Sequence, residues 1–551
     1  MRDPFLLGVL VVAAVLRLYG IDHGLPFVYN PDEVNIMARS LAVARGLDPG
    51  YYLYPSFFFY FLFGVMGALY VAGRAVGRYD SLGAFQERFF TDPTDFYLVG
   101  RLVGVAASLA TVVLTYHLAA KHFGRTAGRA SALFVAVAYF NVRDAHYLKH
   151  DVPSGFLLIL ALWAIDRAID RKTLQAYGVA GVALGVAFAT HYYMIFLAPA
   201  FVASHWASRR LEQFSHVIAA GVVSAVTFFV LSPFVVLRLP VALEHMRANR
   251  QIVVDRSLDM GATIFPSLGL YVDFLLTQGF GYLLVGLTVA GVLLAWRRGL
   301  AELALWGVFP AFFFAFITYT FFAGRYLNPI LPCLATFAGL TIASLETRFG
   351  KAVAGLVAGL ACLLPLYQSI QVDRLLAEDD TRTLARRWIV ENVPSGETLA
   401  LQSYSVPVPQ SAASFRKSLE ANDGLSELTR RGKYASLLEV AERETTSYGL
   451  YFFGNGDELN RIHVSYDALQ GGLSPLKELG VSTVVLRLPP APPPPEVTAL
   501  FERVAREATL LHTVSPFEDA NGPPYLDNED WPPRASLSRK GPKIEIWALE
   551  P

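Results

Sequence analysis

The stretch YPSFFFYFLFGVMGALYVAG (Tyr54–Gly73) decides the fold. It has the roughly 20-residue apolar length that spans a bilayer, so whether it crosses sets which later loops share a face. Comparable apolar segments lie at about 5–20, 97–118, 127–142, 153–169, 174–190, 192–207, 214–237, 281–297, 302–322, 327–346 and 351–370. The linkers KHFGRTAGR (121–129), DRAIDRKT (166–173), SRRLEQ (208–213), RRG (297–299) and ETRFGK (346–351) are short and basic. Such loops stay in the cytoplasm, and Arg2 places the N-terminus there too, so the loop after the first span lies outside. If 54–73 crossed, every basic loop would be carried to the outer side. If it stays outside as a re-entrant or interfacial helix, all of them fall inside, and only Arg74 and Arg78 vote the other way. The expectation is eleven crossings plus one non-crossing apolar helix, with Asp32, Asp151, Arg325 and residues 375–551 on the outer face.

Composition agrees. Of 551 residues, 54% are hydrophobic and 17% charged, with mean hydropathy +0.40, whereas soluble domains average about 25% charged. The chain reads as a polytopic α-helical membrane protein with a soluble appendage. Net charge is zero, which argues against nucleic acid as a partner. Cys333 and Cys362 lie inside apolar runs and form neither a disulfide framework nor a metal site. The first run has no small-residue cleavage site after it and reads as a retained span. Residues 1–374 thus form the transmembrane domain.

From 375 the material changes. DDTRTLARRWIVENVPSG (379–396) reads as a capped amphipathic helix ended by Pro394 and Gly396. TLALQSYS (398–405), VSTVVLRL (481–488), TLLHTV (509–514) and KIEIWAL (543–549) read as strands. LPPAPPPP (488–495) is a stiff polyproline connector. The region 375–551 is expected to be an extracytoplasmic α/β domain with no chemical motif of its own.

The candidate chemistry lies in the outer loops. Asp32 and Glu33 follow Asn30 and Pro31, which together make a good helix start. Val34, Met37 and Leu41 form an apolar stripe suited to the interface. One carboxylate can cap while the other faces a substrate. YLKHDVPSG (147–155) gathers Lys149, His150 and Asp151, and Asp151 is either a plain N-cap for the next span or part of a functional cluster. Ionisable residues at membrane depth are costly and default to functional candidates. Arg325 in AGRYLNPILP (323–332) either snorkels to headgroups or grips a phosphate through two parallel hydrogen bonds. The aromatic LYPSFFFYFLFG (53–64) faces lipid or walls an isoprenoid groove, and His191 in ATHYYMIFL (189–197) sits at an outer span end. The set suits a phosphorylated amphiphile whose sugar is attacked beside a carboxylate.

The order of these elements resembles the GT-C superfamily of membrane glycosyltransferases. It is most similar to the bacterial branch of protein O-mannosyltransferases and lipid A aminoarabinose transferases. NPDE matches the family's outer-loop acidic motif, which implies that Asp32 is the catalytic carboxylate. LYPSFFFYF resembles its proline-containing loop helix at Tyr54, and FYLVGRLVG its arginine-bearing span start at Arg101. KHDVP resembles the second acidic loop at Asp151, and GRYLNPILP the RY-containing span start at Arg325 and Tyr326. DTRTLARRWIVENVPSGETLAL and GPKIEIWAL look like pieces of the outer domain.

The resemblance implies an inner-membrane, multi-pass glycosyltransferase. A polyprenyl-phosphate-linked sugar would be its donor, and an acceptor hydroxyl on protein, lipid or polysaccharide would attack with inversion. Asp32 would be the base, with Glu33 and Asp151 orienting it or holding the acceptor. Tyr54, Arg101, Lys149, His150, His191, Arg325 and Tyr326 would bind substrate. No cofactor is required, though Asp32, Glu33 and Asp151 could hold a divalent cation through oxygen ligands. Two readings compete. A transporter or flippase of a lipid-linked substrate also needs a polar membrane cleft, but would show internal repeats. A wall-binding module on an anchor would not need eleven spans.

Overall fold

The computed structural model describes residues 3–258, 265–424, 432–489, 493–519, 521–524 and 536–550. Its membrane part begins with α1 (Pro4–Leu18), α2 (Pro31–Ala42), α3 (Phe57–Ala75), α4 (Leu82–Thr91), α5 (Thr94–Phe123), α6 (Arg125–Val137) and α7 (Tyr139–Ala145). It continues with α8 (Asp151–Arg171), α9 (Leu174–Thr190), α10 (Leu197–Arg209), α11 (Phe214–Leu231), α12 (Pro233–Leu237), α13 (Leu239–Leu258) and α14 (Leu268–Phe274). It closes with α15 (Gly281–Arg298), α16 (Leu300–Ile317), α17 (Leu331–Phe349) and α18 (Lys351–Ala377). Among the described residues, 8 helices are long and apolar enough to cross a membrane, α3 included.

Side-chain contacts set the direction of each helix. At one end of α1, Asp3 accepts from Tyr116 (2.7 Å) near the end of α5 and from Arg129 (2.9 and 2.8 Å) in α6. At the other end, Arg101 near the start of α5 donates to the carbonyls of Ile21 (2.7 Å) and His23 (2.9 Å). Helices α1 and α5 are therefore antiparallel, and the chain between Ile21 and Arg101 begins and ends on one face. (That face carries the C-terminal sheet.) Tyr29 before α3 bonds Thr383 (2.8 Å), and Glu87 in α4 pairs with Arg443 (3.2 Å). Both ends of α3 thus lie on the sheet face. Its 19 residues are long enough to cross, yet they do not carry the chain to the other side.

The opposite face is marked by His122, which contacts Asp166 of α8 (3.0 Å) and Glu302 of α16 (3.1 Å), and by Arg209, which donates to Ile169 O (3.1 Å). Ser232 after α11 returns to the sheet face, where it accepts from Ser56 N (2.9 Å), and Asp373 near the end of α18 comes within 3.7 Å of His146. Of the eleven segments expected to cross, α5, α8, α11, α15, α16, α17 and α18 are among the 8 helices long and apolar enough to span, and α1 and α9 are shorter apolar helices. All the short basic linkers fall on the face away from the sheet. Helices α6 and α10 have only 13 residues each, and α7 and the 3-10 turn Tyr192–Phe196 extend them. Small residues let the bundle close, as lipid-embedded packing requires: a Cβ at Gly291 would stand 1.9 Å from Phe337 O.

After α18 come α19 (Thr381–Asn392), α20 (Ala412–Ala421) and α21 (Gly432–Arg443), with a six-stranded sheet of order β3-β2-β1-β4-β6-β5. The strands are β1 (Thr398–Gln402), β2 (Gly449–Phe453), β3 (His463–Val464), β4 (Val481–Leu488), β5 (Thr509–Val514) and β6 (Lys543–Ala548). The first four pair in parallel; β6 is antiparallel to both β4 and β5. The sequence reading finds β1, β4, β5, β6 and α19 but misses β2 and β3. GLYFF is a short continuous apolar run with no alternation to mark it, and β3 has two residues. Of the proline connector, residues 490–492 lie outside the described residues. The sheet domain rests on the membrane part through Arg382 over the Tyr29 ring (3.9 Å), Arg386 over Phe27 (5.1 Å) and Lys540 Nζ on Tyr147 Oη (2.5 Å).

Candidate functional site

Helix α2 starts as its sequence demands. Asn30 caps it by accepting from Asp32 N (2.9 Å), and Pro31 takes the first position. Glu33 does not complete a capping box. It turns inward, fully buried, and forms a two-pronged ion pair with Arg101 (2.9 Å on each oxygen). It also accepts from Leu148 N (2.8 Å). The buried side of α2 is therefore Glu33, Ile36, Met37 and Ser40, while Val34 is 44% exposed. A buried carboxylate with a strong partner outweighs a three-residue apolar pattern, because an unpaired charge there would be prohibitive.

Glu33 thus ties three elements together: α2, α5 and the loop before α8. Asp32, next to it on a turning helix, points elsewhere. Its side chain is 52% exposed and Oδ2 lies 3.3 Å from Nζ of Lys149, whose side chain is 3% exposed. Burial pushes the Asp32 carboxyl up, but Lys149 and Arg325 pull harder and hold it below the usual carboxylate range. The two acidic loops therefore meet, with a buried lysine at the junction. Asp151 sits deeper, at the first position of α8, where its charge is felt by Tyr54 and by Asp144.

Aromatic rings wall this cluster. Tyr54 packs on His150 (4.1 Å between centroids) and His191 (5.2 Å), His150 stacks on His191 (4.9 Å), and His191 on Tyr193 (3.6 Å). Burial pushes His150 down to about 3 and keeps His191 well below the usual histidine range. Both imidazoles are neutral at physiological pH, which leaves Lys149 and Arg325 as the cations beside Asp32. Arg325 lies over the Tyr326 ring (5.4 Å).

Beneath lies a polar network that the sequence reading passed over. Asn328 donates to Arg325 O (3.0 Å) and to Asp144 (2.6 Å), and accepts from Asn141 (2.9 Å). Asp144 pairs with Arg143 (2.8 Å). Arg17 donates to Asn141 (2.9 Å), Ser108 (2.6 Å) and the carbonyls of Val135 (3.2 Å) and Ala136 (2.8 Å), where α6 breaks before α7. Arg17, Asn141, Arg143, Asp144 and Asn328 were legible as polar residues inside or bordering apolar runs, a signal that the loop motifs overshadowed.

The structure brings together Asp32, Tyr54, Lys149, His150, Asp151, His191, Arg325 and Tyr326. It sets Glu33 and Arg101 behind them, satisfied by one another. Among the described residues no group of three His, Cys, Asp or Glu side chains could hold a metal ion, so Asp32, Glu33 and Asp151 form no cage. The aromatic stretch 53–64 turns Phe58, Phe59 and Leu62 into a core with Ile36, Met37 and Tyr97. An apolar cavity of about 540 Å³ lies elsewhere, lined by Phe280, Val289, Gly307, Phe312, Ile330 and Phe337 among others.

Residues 95–237 match the family model for dolichyl-phosphate-mannose-protein mannosyltransferase. No curated protein matches the chain by sequence. Among solved structures the chain is similar to ArnT from Cupriavidus metallidurans in the apo state, with 13% identity, 99% of this chain and 98% of that one covered, and a TM-score of 0.53. Against the same protein bound to undecaprenyl phosphate, identity is 17%, coverage 99% and 98%, and TM-score 0.49. Against the Archaeoglobus fulgidus oligosaccharyltransferase with zinc and sulfate, identity is 14%, coverage 88% and 68%, and TM-score 0.49. The chain has the fold of ArnT, a helical membrane part followed by a sheet-containing C-terminal domain.

Proposed function

We propose that the protein transfers a monosaccharide from a polyprenyl-phosphate donor to an acceptor hydroxyl on the outer face of the cytoplasmic membrane. The observation that carries this reading is Asp32: an ionised, half-exposed carboxylate at a helix start, with Lys149 at 3.3 Å and Arg325 close by. Asp32 takes the proton of the acceptor hydroxyl as its oxygen bonds the anomeric carbon. The bond from that carbon to the phosphate oxygen breaks, and its electron pair leaves with the polyprenyl phosphate. Lys149 and Arg325 stabilise the charge that grows on the phosphate. A single displacement opposite the leaving group inverts the sugar. A carboxylate held below its usual range is a weak base, so proton transfer falls late, once the attacking oxygen has become acidic.

Three features support the substrate class and orientation. The apolar cavity is lined by Ile330, the last residue of the 3-10 turn Gly324–Ile330 that carries Arg325, and its apolar walls suit an isoprenoid tail. The neutral stack Tyr54–His150–His191 offers faces to a sugar ring rather than charge to a phosphate. The short basic linkers share the face away from the sheet, which the positive-inside rule assigns to the cytoplasm.

The test is reconstitution in proteoliposomes with radiolabelled polyprenyl-phosphate sugars and an envelope extract as acceptor. The reading predicts labelled product that is no longer carried by polyprenyl phosphate. Movement of intact labelled lipid between leaflets, without transfer, would instead establish a flippase.

A further inference from the structure

The sheet domain carries no chemical motif of its own, yet one of its residues reaches the loop beside Asp32. Lys540, in the stretch RKGPK (539–543) that leads into β6, puts its Nζ 2.5 Å from Tyr147 Oη. Tyr147 stands two residues before Lys149.

Lys540 is fixed from its own side. Its carbonyl accepts from Thr381 N, at the start of α19 (2.9 Å). The next residue, Gly541, has φ +102°, and a Cβ there would stand 2.1 Å from Thr381 Oγ1. A side chain at 541 would therefore push this turn off α19. Helix α19 is itself seated on the membrane part, with Arg382 over the Tyr29 ring (3.9 Å). The ammonium of Lys540 is thus delivered from a braced turn.

Tyr147 receives it at a second fixed point. It is buried, its ring meets the His23 ring edge to face (4.8 Å between centroids), and the N–H of the following Leu148 is held by Glu33 (2.8 Å). Two ammonium groups lie over this one ring, Lys540 Nζ at 5.2 Å from the centroid and Lys149 Nζ at 5.1 Å. Both are within the roughly 6 Å over which an aromatic face attracts a cation. A lysine carries its charge on a flexible four-carbon stem, so what lies beside the ammonium decides where it points. For Lys149 the Tyr147 ring is one such neighbour and Asp32, at 3.3 Å, is another.

We infer that Lys540 is a positioning residue: by holding the Tyr147 hydroxyl it sets the ring that aims Lys149 at the phosphate of the lipid. The sheet domain thereby completes the anion site of the membrane part. The inference rests on the role proposed for Lys149 in the transfer reaction, but its test measures binding alone.

The full-length protein in detergent is titrated calorimetrically with polyprenyl phosphate. Lys540→Met should weaken binding by about 3- to 10-fold, the range for one lost hydrogen bond. Tyr147→Phe keeps the ring and every charge and loses only the hydroxyl, so it should weaken binding by a similar factor. The double variant should be no weaker than either single one, because the two residues act through one contact. Lys540→Arg still donates to the hydroxyl and should restore most of the affinity. A purely structural lysine would act whatever residue stands at 149. In the Lys149→Met background, Lys540→Met should therefore cause no further loss. Wild-type affinity in both Lys540→Met and Tyr147→Phe, or a full additional loss in the Lys149→Met background, would overturn the inference and leave the transfer reading standing. Lipid binding that depends on Lys540, with no sugar transferred in the proteoliposome assay, would instead overturn the transfer reading alone. A wild type that binds no polyprenyl phosphate would overturn both.

Discussion

Lys149 Nζ lies 3.3 Å from Asp32 Oδ2, and of the two side chains the lysine is the buried one. The cation is fixed in the protein while the carboxylate stands at the opening. In the proposed reaction Asp32 turns to the incoming hydroxyl while Lys149 stays in place to stabilise the phosphate.

The first prediction concerns pH. With its pKa held below the usual carboxylate range, Asp32 stays ionised through neutral and mildly acidic solution, so kcat/KM should be flat there. Lys149→Met removes the largest charge acting to lower that pKa, leaving burial to raise it. The acid limb of the kcat/KM profile should then move to higher pH. An unmoved limb would mean that Lys149 does not govern the base.

The second concerns the buried pair behind the site. Arg101→Met leaves Glu33 buried and charged, and breaking such a pair costs about 3–5 kcal/mol. Thermal unfolding in detergent should show a large loss of stability. The double variant Arg101→Met with Glu33→Gln should recover much of it. If both single variants unfold like the wild type, the pair does not hold the loops together.

The third concerns positioning. Asn328 fixes the Arg325 carbonyl and is itself aimed by Asp144 and Asn141. Asn328→Ala should raise KM for the lipid donor more than it lowers kcat, and should lower stability by about 1–3 kcal/mol, the cost of leaving buried partners unpaired. An effect on kcat alone would place Asn328 elsewhere in the mechanism.

The fourth uses His150, whose pKa of about 3 in the folded protein lies below its ordinary value of about 6.5. The unfolded chain takes up this proton as pH falls below about 6.5, and the folded chain does not, so acidification favours unfolding. His150→Phe keeps the ring stack and removes the titration. Melting temperatures of wild type and variant should diverge from pH 7.5 to pH 5, with the wild type losing more.

Much of this architecture was readable beforehand because two signals act over long distances. Loop charge identified α3 as the apolar helix that returns to its own face, which hydropathy alone contradicts, since α3 is among the 8 helices long and apolar enough to span. The outer-loop motifs placed Asp32, Lys149 and Arg325 on one face before any contact was known. The division of labour between adjacent carboxylates was not readable. Asp32 and Glu33 differ only by one step of helix rotation, and which of them faces Arg101 is set by a partner 68 residues away. The strand β2 was hidden for a related reason: its apolar run carries no period.

The most direct measurement is the initial rate of sugar transfer by Asp32→Asn, compared with wild type at equal amounts of folded protein in proteoliposomes. Asparagine keeps the shape of the side chain and the helix start, but cannot accept the proton. The rate should fall by about 10²- to 10⁴-fold, the usual contribution of a positioned base, with donor binding retained. A variant that keeps more than about a tenth of the wild-type rate would contradict the assignment of Asp32.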